Sequence, residues 1–362
     1  MNQLDIKLRH LLNIQINTIR ILVNQIKTIT KPTISIKGNL RMDKIIIDCD
    51  PGIDDAMAIL LAARSPSLQI IGLTSVFGNA AIETTTDNAV RLRDMFEIEA
   101  PVHVGARLPL SMTEDPPPTF IHGKDGLGDT RKLPSVGDPD GNSAANFIVE
   151  TINANPHQVS IVALGRLTNL ANALALDPGI AALTKQTVVM GGAFGFDQIR
   201  GNVTPCAEAN IYGDPDAADQ VCVSGWNTVF VGLDVTMKCI FDHQRLNRLR
   251  DSGDAACEFI ADISRFYQSF YNSIGYRKGF PVHDASAMAY LIEPTFFKVA
   301  SGPVRVATSG IAKGATIWSR QTARDYAEDH WKGVAGSTVC RDVVTDRLLN
   351  LVESTLLGNP KS

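Results

Sequence analysis

The stretch IIIDCDPGIDDAMAILLAA, residues 45–63, places four carboxylates (Asp48, Asp50, Asp54 and Asp55) between two apolar runs. The first run is short, β-branched and apolar at every position, as in a strand buried on both faces of a parallel sheet. The second has the length and composition of a helix. Pro51-Gly52 between them forces a tight turn. An aspartate at a helix start is ordinarily a cap, satisfying orphan N–H groups and the helix dipole. Capping accounts for one such residue, not for four. The turn directs Asp50, Asp54 and Asp55 into one small volume, where mutual repulsion raises each carboxyl's proton affinity unless a cation is present. A hard divalent ion resolves the crowding. Ca²⁺ takes about six to eight oxygen ligands and tolerates bidentate carboxylates and backbone carbonyls, whereas Mg²⁺ demands a tighter octahedron. Asp48 faces the other side of the strand end as support.

Outward from this stretch, short β-rich runs alternate with helical patterns. Strands are expected at 44–49, 68–76, 159–164, 186–192 and 228–235, with helices at 55–64, 82–96, 143–154, 168–175 and 214–224. The pattern predicts an α/β fold, an open, mostly parallel sheet flanked by helices in a single domain. Polar residues gather where the strands end: Asp48 and Asp50, Asn79, Gly165 to Asn169, and Asp234. Carboxyl ends of strands form the ligand crevice of such sheets, so one site is assembled from many segments. Two long loops, 107–142 and 193–213, have the length of functional loops. Toward the C-terminus come a helical segment 254–274, the run GFPVHDASAMAYLI (279–292), a hairpin-like stretch 302–319 and a closing helix 343–357.

The chain has 362 residues, 44% hydrophobic, with a formal charge of −4. Residues 1–41 are basic, with seven Lys/Arg against Asp5 alone, so the remainder is more acidic than the total suggests. An acidic body without a basic patch excludes nucleic-acid polymers as partners and is compatible with a divalent cation. Six widely spaced cysteines show no metal-type spacing and read as reduced thiols of a cytoplasmic protein. No run is long and apolar enough for stable membrane insertion. The expected organisation is an N-terminal extension, 1–41, outside the fold, and a catalytic domain, 42–362, with Met42 as a candidate start.

DCDPGIDDA resembles the signature of the nucleoside hydrolases, and further motifs extend the resemblance from about Met42 to the C-terminus. The resemblance implies Ca²⁺-dependent cleavage of the N-glycosidic bond of ribonucleosides by a homodimer or homotetramer. It implies Asp50, Asp55, the backbone carbonyl of Leu164 in VALGRLTN and Asp284 in PVHDA as metal ligands. The implied substrate contacts are Asp54, Asn79 in VFGN, Met190 in VVMGG, Asn202 in RGNVT, and Glu208 and Asn210 in AEAN. Carboxylates and amides complement sugar hydroxyls, which both donate and accept. His122 in IHGKDGLG, Tyr271 and Tyr276 are the implied contacts to the base.

The chemistry follows from these parts. N-glycoside cleavage passes through an oxocarbenium-like ribosyl cation, which carboxylates around the ring stabilise. Asp50 is the expected base activating a metal-bound water, and His283, able to titrate near neutrality, is the expected acid for the leaving base. His283 resembles the inosine-uridine and pyrimidine-directed branch; Trp226, Trp318 and Trp331 do not fall where a tryptophan-stacking branch would need them. The chain departs from the family pattern mainly at 193–201 and 278–281, segments expected near the base. Two alternatives compete. A haloacid-dehalogenase-type phosphatase also begins with a strand and Asp-x-Asp, but Pro51-Gly52-Ile53 follow where that chemistry wants a small hydroxyl residue. A non-catalytic nucleoside- or sugar-binding protein would be free to lose Asp50 or His283; both are present.

Overall fold

The computed structural model describes residues 42–111, 115–129, 133, 137–320 and 329–358. The chain divides into two units, Met1–Arg41 and Met42–Ser362, and the expectation for residues 1–41 lies outside the described residues. The strands are β1 (Asp43–Cys49), β2 (Leu68–Ser75), β3 (Val102–His103), β4 (Val159–Ala163), β5 (Gln186–Met190), β6 (Thr228–Val231), β7 (Ile240–Asp242), β8 (Gly279–Pro281), β9 (Phe297–Val306), β10 (Thr316–Trp318) and β11 (Gly336–Val343). Nine form one sheet in the order β10-β9-β11-β6-β5-β4-β1-β2-β3, while β7 and β8 make a separate ribbon. From β3 across to β11 every pairing is parallel; β9 and β10 are antiparallel.

The uniformly apolar strands are explained by helices on both faces. Along β1, Ile45 and Ile47 enter one core with the helices Ile53–Arg64, Ala255–Ser273, His283–Ile292 and Thr345–Leu356. Ile46 points the other way, into a second core with Ala144–Ala154, Thr168–Leu176 and Pro215–Val223. Successive side chains of a strand leave opposite faces, so a two-faced sheet needs apolar residues at every position.

The five expected strands and five expected helices all form, with ends shifted by a few residues. One larger difference is at 228–235. The strand stops at Val231, because Gly232 turns the chain into the short helix Leu233–Thr236. Asp234 therefore does not line the crevice. Its carboxylate accepts the N–H groups of Phe194 at 2.8 Å and Phe196 at 2.6 Å, anchoring the loop that follows β5.

Candidate active site

The helix Ile53–Arg64 starts where β1 ends, and Asp55 Oδ2 accepts the Gly52 N–H at 2.9 Å, closing the turn. That capping bond fixes Asp55 at the bottom of the crevice. The helix His283–Ile292 begins against the same point and delivers Asp284. Ligand oxygens of Asp54, Asp55 and Asp284 lie within 4.8 Å of one another. Asp54 Oδ2 accepts from the Tyr267 hydroxyl at 3.1 Å, and Asp55 Oδ2 also accepts from Asn79 Nδ2 at 3.0 Å. Burial and like charge hold the carboxyls of Asp54, Asp55 and Asp284 well above the ordinary range.

These residues fit a divalent cation. Asp50 Oδ1, Asp54 Oδ1 and Asp55 Oδ1 are buried without a hydrogen-bond partner, and unpartnered buried carboxylate oxygens are costly unless something positive meets them. All the donors are hard oxygens, the type that Ca²⁺ or Mg²⁺ takes.

The trio contains two of the carboxylates expected from the sequence, Asp55 and Asp284, and brings Asp54 beside them, while Asp50 stands next to the trio. Asp50 Oδ2 is bound by Arg166 Nη1 at 2.5 Å and by the Asn79 N–H at 2.9 Å, which turns that carboxylate toward the β4 loop. Burial pushes Asp50 up to about 7, with Arg166 and the Asn79 N–H pulling against it. Asp48 supports from behind. Its Oδ1 accepts from Thr74 at 2.6 Å and Asn169 Nδ2 at 2.7 Å, and burial raises it to about 7.

Above this floor opens a cavity of about 550 Å³ whose wall includes Asp54, Asn79, His122, Leu164, Met190, Asn202, Glu208, Asn210, Tyr271, His283 and Asp284. Asn79 is tied to the acidic floor, its Nδ2 also reaching the Asp50 carbonyl at 3.2 Å. Asn210 Nδ2 donates to the carbonyls of Leu164 at 2.7 Å and Met190 at 3.1 Å, leaving the Leu164 oxygen one further lone pair. Glu208 caps the helix Ala209–Gly213, accepting the N–H groups of Asn210, Ile211 and Gly192, and burial raises its proton affinity. Asn202 Oδ1 accepts the Ala209 N–H at 3.1 Å at the start of the same helix.

The two histidines in the wall are held neutral. Burial takes His283 down to about 4 and His122 to about 3. His283 Nε2 lies 2.7 Å from the Tyr271 hydroxyl and Nδ1 lies 2.7 Å from the Thr236 hydroxyl, so both ring nitrogens are engaged. An imidazole titrating near neutrality, as the sequence suggested, is therefore not what this setting produces. His122 Nδ1 accepts the Ile53 N–H at 3.2 Å, which ties the long loop to the first helix. Tyr276 does not reach the cavity wall; it packs edge-on behind Tyr271, ring centroids 5.7 Å apart.

Sequence reasoning missed Arg166, Tyr267 and Thr236. Tyr267 precedes Tyr271 by one helical turn and so shares its face, a spacing visible in the sequence. Arg166 stood in plain view beside Leu164, but nothing in VALGRLTN says which way it points.

The profile of the family described as inosine-uridine preferring nucleoside hydrolase matches residues 45–350. The chain is 39% identical to a probable uridine nucleosidase of Oryza sativa subsp. japonica, over 88% of this chain and 98% of the relative. Its fold superimposes on a plant nucleoside hydrolase with a TM-score of 0.83 at 36% identity, covering 87% of this chain and 99% of that one. A purine-preferring ribonucleoside hydrolase from Gardnerella vaginalis follows at 0.80 and 31%, covering 88% and 99%.

Proposed function

This chain belongs to the inosine-uridine preferring nucleoside hydrolase family and is an N-ribohydrolase, and we propose that it works with Ca²⁺ on the carboxylate floor, with Asp50 as base and His283 assisting departure of the base. The phosphatase alternative falls with the family assignment. The observation that carries the reading is the convergence of Asp54, Asp55 and Asp284 beneath a nucleoside-sized cavity, with buried oxygens lacking partners.

Asp50, Asp55, Asp284 and the Leu164 carbonyl would hold the ion, with Asp54 beside them. When bound, Ca²⁺ supplies Lewis acidity toward water and a hold on vicinal hydroxyls. Asp50 takes the proton of the attacking water through Oδ1, the oxygen with no hydrogen-bond partner. Asn202, Glu208, Asn210 and Asp54 bind the ribose hydroxyls, Asn79 steadies Asp50 and Asp55, and Met190 packs against the sugar. The surrounding carboxylates lower the energy of the ribosyl cation as the C1′–N bond breaks. The departing base accepts a hydrogen bond from the Tyr271 hydroxyl, which His283 orients, while His122 borders the base side.

The uridine nucleosidase name of the rice relative favours uridine among the substrates. We place residues 42–362 as the catalytic domain with 1–41 outside it, working as a homodimer or homotetramer in the cytoplasm. Six free thiols support that compartment, and among the described residues no helix is long and apolar enough to cross a membrane. The test is ribose release from uridine, cytidine, inosine and adenosine by the wild type and by Asp50→Ala. Uridine turnover lost in a variant that unfolds at the wild-type temperature supports the reading; Asp50→Ala turning over at the wild-type rate overturns it.

A further inference from the structure

Arg166 is the one cation that the described residues place against the acidic floor. It follows directly on the Leu164-Gly165 bend, and its side chain is only 12% exposed. Two glycines make room for it. A Cβ at Gly78 would overlap both Arg166 Nη1 and Asp50 Oδ2, and one at Gly213 would lie 2.5 Å from Arg166 Nε. The guanidinium also rests 5.8 Å from the Phe77 ring centroid. Its Nε is buried with no hydrogen-bond partner, so the group is held for its charge and its Nη1 bond to Asp50 rather than for a full fork of contacts.

A permanent positive charge in this position has two effects on anything divalent that binds there. It removes Asp50 Oδ2 as a ligand, and it repels the incoming ion across a low-dielectric pocket. We propose that Arg166 sets the affinity of the divalent cation by clamping Asp50 Oδ2 and neutralising one of the floor's charges, so that the ion is held loosely by the floor oxygens that remain. Arg166 is thus a positioning residue that acts through Asp50. This inference rests on the proposed metal site and adds to it a residue that opposes binding.

The experiment is calorimetric titration of Ca²⁺ into chelator-stripped protein, for the wild type and for Arg166→Gln, Arg166→Met and Arg166→Lys, with each variant's fold checked by thermal unfolding. Loss of the charge in the Gln and Met variants should tighten Ca²⁺ binding by about tenfold, as expected for one unit of charge in a partly buried site, while Lys stays near the wild type. A merely structural role for Arg166 would not tighten binding. Equal affinity in all four proteins, or weaker binding in Gln and Met, overturns the proposal while leaving the metal site standing. Absence of Ca²⁺ binding in every protein overturns both.

Discussion

The Tyr271 hydroxyl meets Nε2 of His283 at 2.7 Å, in a buried contact at the wall of the cavity. Burial lowers His283 to about 4, which favours the neutral imidazole at neutral pH. It holds the phenol, and Thr236 holds it. Tyr271→Phe and His283→Ala should therefore lower kcat on uridine by similar factors of about a hundred or more, the range for a lost acid-base partner. Turnover of p-nitrophenyl riboside, whose leaving group needs no help, should be nearly spared. Equal loss on both substrates would argue against the assignment.

Bound ion and bound protons compete for the same carboxylates. Asp54, Asp55 and Asp284 hold protons more tightly in the fold than in the unfolded chain, so without metal their contribution to stability is present at low pH and is lost as pH rises. His283 acts oppositely: its lowered value makes stability fall as pH drops from about 6.5 to about 4. Ca²⁺ should consequently raise the melting temperature by several degrees at pH 7.5 and by much less at pH 5. Differential scanning fluorimetry at the two pH values reads this; an equal increment at both would contradict it.

Asn169 shows how the floor is braced from behind. Its Nδ2 reaches Asp48 at 2.7 Å and the Ser75 carbonyl at 2.9 Å, and its Oδ1 accepts the Ala106 N–H at 2.8 Å. Asn169→Ala takes a donor from Asp48 and the buried Ser75 carbonyl and the acceptor from the half-buried Ala106 N–H, and should cost roughly 2–4 kcal/mol in urea unfolding. A loss under about 0.5 kcal/mol would show that the network is replaceable by water.

At the cavity mouth, Phe120 is 67% exposed and packs edge-on against Phe270, centroids 5.7 Å apart. It touches none of the floor. Phe120→Ala should raise KM for uridine by about threefold to tenfold with kcat little changed, since it removes contact made equally in ground and transition states. A fall in kcat alone would place Phe120 in the chemistry instead.

The sheet was legible because β1, β4 and β5 are apolar at successive positions, a pattern only a two-faced sheet uses, and their helical partners have the right lengths. The acidic turn was legible too, since Pro51-Gly52 leaves Asp54 and Asp55 little choice of direction. What the chain order hides is pairing at a distance. Arg166 meets Asp50 across 116 positions, and Tyr267 reaches Asp54 across 213. Asp234, at the end of its strand like the others, looked like a crevice residue. Gly232, two positions earlier, turns the backbone into a helix, and the Asp234 carboxylate goes to a loop. Burial, which neutralises His283, belongs to the folded chain and has no local signature.

The measurement that bears most directly on the account is free ribose released from uridine before and after the protein is stripped with a chelator. Turnover should cease on stripping and return when Ca²⁺ is restored. Undiminished ribose release from protein shown by elemental analysis to be metal-free would contradict it.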